Sequence, residues 1–279
     1  MGAIFHLSRD SSGPDRLLVC GAGMRHSLRV EKIKTPLMIA LFTDFGITGP
    51  YVGQVKAALL REAGDVPIVD LMHDAPAFHP KASAYLLAAL IDDFPRGTIF
   101  LCVVDPGVGT DSRLPVMLAA DGQWFVGPNN GLFGVVAKRA RQRDLTEITW
   151  RPRLLSNSFH GRDLFAPVAA MAARGNPPPG APLSTDAVMG EDWPDDLLEV
   201  IYIDRFGNAM TGLRRAGLAG GERLVVGNTL LHYADTFGQV PVGRGFWYEN
   251  ANGLVEIAVN QGNAALALEL GIGTPVRFG

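Results

Sequence analysis

Cysteine is nearly absent from this chain. The two that occur, Cys20 and Cys102, stand far apart, and Cys102 lies within the apolar run Ile99 to Val104. That excludes a disulfide framework and points to a buried free thiol in a reducing, cytoplasmic setting. Charge of one sign is scarce as well: 25 Lys and Arg stand against 28 Asp and Glu, for a net charge of −3. Neither nucleic acid nor an anionic membrane is expected as a partner on electrostatic grounds. No apolar run reaches the roughly 18 residues of a membrane helix, and the residues before Met38 hold no apolar stretch suited to a signal peptide. Several chemical signatures are missing too. There is no P-loop, no G-x-S-x-G elbow, no H-E-x-x-H and no paired C-x-x-C. The histidines and cysteines do not cluster at metal-ligand spacing, so no metal or other cofactor is expected.

What is present is an ordinary soluble composition, 47% hydrophobic and 19% charged over 279 residues, long enough for two domains with cores of their own. Residues 1–37 mix Ser, Asp, Gly, Arg and Lys without a period and are expected to form a mobile N-terminal extension. From Met38 the pattern alternates. "MIALFT", "VPIVDL" and "TIFLCVV" read as strands, while "YVGQVKAALLREA" and "PKASAYLLAALIDDF" have helical spacing, the second with Pro80 in its first turn. "PVMLAA", "WFVG" and "LTEITW" read as further strands, and "NGLFGVVAKRA" and "RDLFAPVAAMAARG" as helices. This order predicts an N-terminal α/β domain, residues 38–182, with a mainly parallel central sheet. The stretch "NPPPGAP", residues 176–182, reads as a linker. Beyond it come short β-like runs, among them "LLEVIYI", "AMTGL", "FWYE" and "LVEIAV", which predict a smaller C-terminal all-β, barrel-like domain over residues 183–279.

The chemistry-bearing residues fall into four stretches. Asp44 in "TDFG", Asp70 and His73 in "VDLMHD", and Asp105 in "VDPGVGT" each end a predicted strand. Ligands of open parallel sheets bind outside the carboxyl ends of the strands, so this recurrence marks one edge as a site. The alternative is that these residues only make turns and cap helices. "SFHGRDLFAPVAA" places His160, Arg162 and Asp163 before a helix, where an imidazole can polarise a small molecule. "IDRFGNAMTGL" sets Asp204, Phe206 and Asn208 around Gly207, an acid–aromatic–amide group suited to a nucleobase or, more plainly, a hairpin with one core Phe. "YENANGLVEIAVNQGNAA" carries Asn250, Asn252, Asn260 and Asn263, turn residues by default.

Taken together and in this order, these stretches resemble the S-adenosylmethionine hydrolases that form adenosine and methionine, the SAM hydroxide adenosyltransferases. The SAM-dependent fluorinase and chlorinase are distant relatives. The resemblance runs from Met38 to the C-terminus and rests on "TDFG" followed by "YVG", "VDPGVGT", "SFHGRD", "FGN" followed by Thr211, and "EIAVNQGNAA". It implies hydrolysis of S-adenosyl-L-methionine at the ribose C5′, with the substrate held between subunits of a homotrimer. It implies that an Asp–Arg–His set activates water, with Asp105 and His160 in two of those places. The family's arginine falls at Ser112, and Arg113 beside it is the candidate for that part. By the same resemblance Asp44 holds the ribose hydroxyls, Asp204 the methionine amine, and Phe206 and Asn208 the adenine. Asn250 is a further substrate contact, although Ala251 replaces the family's serine beside it. A SAM-dependent halide transferase and a non-catalytic SAM- or adenosine-binding protein are the competing readings.

Overall fold

A computed structural model of the chain describes residues 38–110, 113–218 and 221–279. The expected N-terminal extension and Ser112 lie outside the described residues. The N-terminal part runs β1 (Ile39–Thr43), α1 (Tyr51–Ala63), β2 (Ile68–Met72), α2 (Pro80–Leu90), β3 (Ile99–Val103), β4 (Pro115–Ala120), β5 (Gln123–Pro128), α3 (Gly134–Arg139), β6 (Arg143–Ile148), α4 (Ala166–Ala173) and β7 (Gly180–Leu183). These strands form one sheet in the order β2-β1-β3-β5-β4-β6-β7. The four strands β2, β1, β3 and β5 are parallel to one another, while β4, β6 and β7 add on antiparallel.

Alternation along the central strands builds a core on each face. Ile39, Leu41, Ile99, Leu101 and Val103 pack with α1 and α4, whereas Ala40, Phe42, Phe100 and Cys102 pack with α2 and α3. Strands buried on both faces read as continuous apolar runs, which is why "IALF" and "IFLCV" carry no polar residue. Cys102 is a fully buried free thiol, and burial pushes its pKa well up. The proline-rich stretch read as a linker is in part a strand. Residues 180–183 pair with β6 at the sheet edge, where Pro182 costs no interior ladder bond.

The C-terminal part contains β8 (Leu197–Ile203), β9 (Ala209–Arg214), β10 (Leu224–Val226), β11 (Thr229–Leu231), β12 (Gly245–Glu249), β13 (Leu254–Val259) and β14 (Val276–Phe278). They form two antiparallel sheets, β12-β13-β9-β8 and β11-β10-β14. Single bridges, Glu199 to Pro275 and Tyr233 to Trp247, join the sheets on both sides. The result is a small barrel-like closure around one core that includes Val200, Trp247, Ile257 and Val276. Contacts with the N-terminal part come from α2, the loop before it, and α3, whose Lys138 pairs with Asp195. Tyr85 donates to the Pro194 carbonyl, and the Tyr202 hydroxyl donates to Asp74 Oδ2 at 2.9 Å. No helix among the described residues is long and apolar enough to cross a membrane.

Candidate active site

The order β2-β1-β3 creates the cleft. The chain leaves β1 towards one side of the sheet and returns to β3 on the other, so the gap beyond these two strands is a switch point of the topology. Thr43 pairs with Val103, and the Asp44 amide donates to the Val103 carbonyl at 3.3 Å. Asp44 and Asp105 therefore emerge beside each other. Together with Phe45, Val103, Val108, Ser158, Phe159, His160 and Gly161 they line a cavity of about 60 Å³.

The loop after Asp105 folds over this cavity tightly enough to require glycine. Gly109 has φ +79°, and a Cβ there would sit 2.2 Å from the Asn157 carbonyl oxygen. Arg113 returns from the far side of that loop and grips Asp105 with both arms of its guanidinium. Its Nε donates to Oδ1 at 2.9 Å, and a terminal nitrogen donates to Oδ2. The two side chains are only 6% and 3% exposed, so this is a forked ion pair withdrawn from solvent.

His160 enters from the opposite wall. Residues Gly161–Phe165 form a single wide π-turn that runs into α4, and His160 caps it. Such insertions change the aim of a helix end and recur at functional sites. The missing side chain of Gly161 lets this turn approach Phe45, whose ring would lie 2.9 Å from a Cβ there. Burial lowers the pKa of His160 below its ordinary 6.5, and the charge of Arg113 lowers it further, against an opposing pull from Asp105. Asp44 moves the other way. Burial raises its pKa, hydrogen bonds from the Phe78 amide and its own amide oppose that, and the neighbouring Asp105 adds to the rise.

The C-terminal residues form a separate group. Asp204 organises the β8–β9 turn: its Oδ1 accepts from the amides of Phe206 and Asn208 at 2.8 and 2.9 Å, and its Oδ2 accepts from Asn208 Nδ2 at 3.1 Å. Gly207, at φ +85°, stands where a Cβ would strike the Asn263 side chain. Phe206 is 66% exposed, which rules out the core-Phe reading of this hairpin. Asn250 is buried and holds the β12–β13 turn, accepting from the amides of Asn252 and Leu254 and donating to Glu256 Oε2 at 2.7 Å. Glu256 is itself buried; its carboxyl is raised by that burial, against hydrogen bonds from Tyr248 and Asn250. Among the described residues no hydrogen bond or ion pair joins this group to Asp44, Asp105 or His160.

Both halves of the chain have a matching family pattern. The N-terminal domain of the SAM hydroxide adenosyltransferases matches residues 39–181, and their C-terminal domain matches residues 198–277. The chain belongs to the SAM hydroxide adenosyltransferase family. A relative from Thermus thermophilus named (R)-S-adenosyl-L-methionine hydrolase is 40% identical over 260 residues, covering 86% of this chain and 98% of that protein. One of the same name from Salinispora arenicola is 33% identical over 253 residues, covering 86% and 96%. A solved structure of an uncharacterized conserved protein from Thermotoga maritima superposes with a TM-score of 0.77 at 32% identity, over 86% of this chain and 99% of that one. A conserved hypothetical protein from Thermus thermophilus gives 0.72 at 37% identity, over 87% and 99%.

Against the sequence reading, the structure brings Asp44, Asp105, His160 and Arg113 together at one cleft of this family member. It does not bring Asp70 there. That carboxylate turns away to Lys56 Nζ at 2.6 Å and to His73. Sequence reasoning missed the aromatic rim, Phe45, Tyr51 and Phe159, whose rings meet edge to face or tilted at 5.4 to 6.3 Å. It also missed Phe78, which is 74% exposed, has φ +63° and donates its amide to Asp44 Oδ2 at 3.4 Å. A non-glycine residue with positive φ leaves no local mark in the sequence, so nothing there singled it out.

The electrostatics yield a direct expectation. His160 should titrate below 6.5 in an NMR titration of its ring protons, and Arg113→Met should move the midpoint up, because a neighbouring positive charge is removed while Asp105 remains. A midpoint at or above 6.5 in the parent protein contradicts this account of the cleft.

Proposed function

We propose that this chain hydrolyses S-adenosyl-L-methionine, in the (R) form named for its relatives, to adenosine and methionine. The observation that carries the reading is the small cavity shared by Asp44, Asp105 and His160. About 60 Å³ holds water but not a nucleoside. In this reading the cavity seats the attacking water and the rest of the substrate lies across its mouth.

The chemistry needs little beyond that. The oxygen of water forms a bond to C5′ as the C5′–S bond breaks, and the sulfonium takes the electron pair. Methionine leaves as a neutral thioether, so the leaving group needs no acid. Asp105, held by Arg113, orients the water. His160 accepts the released proton; its lowered pKa keeps the ring uncharged, and so free to accept, near neutral pH. The sulfonium's positive charge is spread out as the bond breaks and ends, with the released proton, on the His160 ring, and a dry cleft favours that dispersal. Asp44 accepts hydrogen bonds from the vicinal ribose hydroxyls.

Asp204, Phe206, Asn208 and Asn250 are proposed to supply the remaining substrate contacts from the C-terminal domain of a neighbouring subunit in a homotrimer. The exposure of Phe206, together with Tyr51 at 51% and Phe78 at 74% near the cleft, supports a site completed by another chain. In that arrangement residues 38–182 provide one wall and residues 183–279 the other. Cytoplasmic residence suits a soluble metabolite as substrate.

The deciding experiment is turnover in isotopically labelled water with excess chloride present. Label in the 5′-hydroxyl of adenosine is expected, with no chlorinated nucleoside. Label in methionine, or a dominant chloride product, overturns the reading. Asp105→Asn keeps the shape of the side chain but removes its charge and its grip on Arg113, and should lower kcat by about 10²-fold; near-parental turnover would take Asp105 out of the mechanism. Light scattering should return the mass of a trimer, and a fully active monomer would defeat the shared site.

A further inference from the structure

Asp70 and His73 are drawn away from the cavity, and their contacts run back towards Asp44 by another route. Lys56 Nζ donates to Asp70 Oδ2 at 2.6 Å, His73 Nε2 lies 3.0 Å from Asp70 Oδ1, and His73 Nδ1 lies 2.8 Å from Thr43 Oγ1. The partners order the protons. A carboxylate only accepts, so Nε2 carries a proton towards Asp70. Thr43 Oγ1 already accepts from the Phe45 amide at 3.4 Å and turns its own hydrogen to Nδ1. In a regular strand, residues three apart face opposite sides. The register shift that pairs Leu41 with Asp70 but Phe42 with Met72 is a bulge, and it brings Asp70 and His73 to one side.

The constellation resembles the Asp–His–hydroxyl set of a nucleophilic enzyme, but Thr43 is 1% exposed and His73 7%, so no substrate reaches the hydroxyl. What the set surrounds is Asp44. The Ala75 amide donates to the Thr43 carbonyl at 3.1 Å, and the Gly46 amide donates to the His73 carbonyl at 2.6 Å. Residues 43, 45 and 46 are thus tied down on either side of Asp44. The segment that begins at His73 also delivers the Phe78 amide to the Asp44 carboxylate.

We propose that Lys56, Asp70, His73 and Thr43 form a positioning relay that holds Asp44 in its ligand-ready orientation. This rests on the reading of Asp44 as the ribose-binding carboxylate. An acceptor already oriented on folding needs no ordering when the ligand arrives, so the relay tightens binding without taking part in the bond-making step.

The test is a double-mutant cycle on the full chain, read as adenosine affinity by calorimetry together with KM and kcat for S-adenosyl-L-methionine. Thr43→Val removes the hydroxyl at nearly constant shape, and Thr43→Ser keeps it. Thr43→Val should weaken adenosine binding about tenfold and raise KM in step, with kcat within about twofold and the ligand stoichiometry unchanged. Thr43→Ser should stay within about twofold of the parent, and Thr43→Val should add nothing in an Asp44→Ala background. A purely structural role would instead lower the fraction of competent chains and leave the affinity of the remainder unchanged; that result overturns the relay. So does parental affinity in Thr43→Val when Asp44→Ala alone is weakened. If Asp44→Ala itself binds adenosine as the parent does, the ribose assignment fails and takes the relay with it. Should Thr43→Val not fold, His73→Phe, whose ring keeps the shape but offers no acceptor to Thr43, must show the same affinity loss; parental affinity there overturns the proposal.

Discussion

Thr43 stands beside Val103 in a parallel ladder, so β1 and β3 leave the sheet at the same level and their next carboxylates emerge together. The strand order turns this pairing into a cleft, because the connections on either side of it run in opposite directions across the sheet. Every polar group at the cavity is arranged about that gap. His160 arrives over it because α4 is anchored on the face built from Ile39, Leu41, Leu101 and Val103. A slip of one residue between β1 and β3 would turn the apolar side chains of each strand to the wrong core, so the packing of both faces holds the two carboxylates in place.

The forked pair of Asp105 and Arg113 is the electrostatic centre. Withdrawing two charges from water is costly unless the geometry satisfies both, and here two parallel hydrogen bonds do so. The pair has consequences for its neighbours. The positive arm helps to lower His160, and the negative arm helps to raise Asp44. One small cavity thereby holds an imidazole of lowered pKa and a partly desolvated carboxylate. The C-terminal turns are built differently. Asp204 and Asn250 direct most of their bonds to their own backbone, so the β8–β9 and β12–β13 turns are rigid, with Phe206 projecting from the first of them.

The elements themselves were legible in the sequence. The helix Tyr51–Ala63 and the strands Pro115–Ala120, Leu197–Ile203 and Leu254–Val259 match their apolar patterns residue for residue. That Asp44, Asp105 and His160 would share one cleft was legible because each follows a strand end or precedes a helix, which is a local signal. The proline-rich segment was misread since sequence does not reveal that residues 180–183 lie at a sheet edge, the one place where Pro182 is tolerated. Asp70 was misplaced because its strand runs on to Met72, which leaves Asp70 in mid-strand opposite Leu41, short of the level where β1 ends.

The sequence by itself determined the α/β and all-β halves, the family, and which side chains could carry chemistry. Those depend on periodicity, turn residues and short motifs, all set by neighbours along the chain. Only the tertiary structure decided that Arg113 reaches back to Asp105, that His73 reaches Thr43 and not the cavity, and that Phe78 touches Asp44. Each of these joins residues brought together by strand register, a bulge or a loop crossing. Such contacts follow from how the two cores pack, which no local pattern encodes.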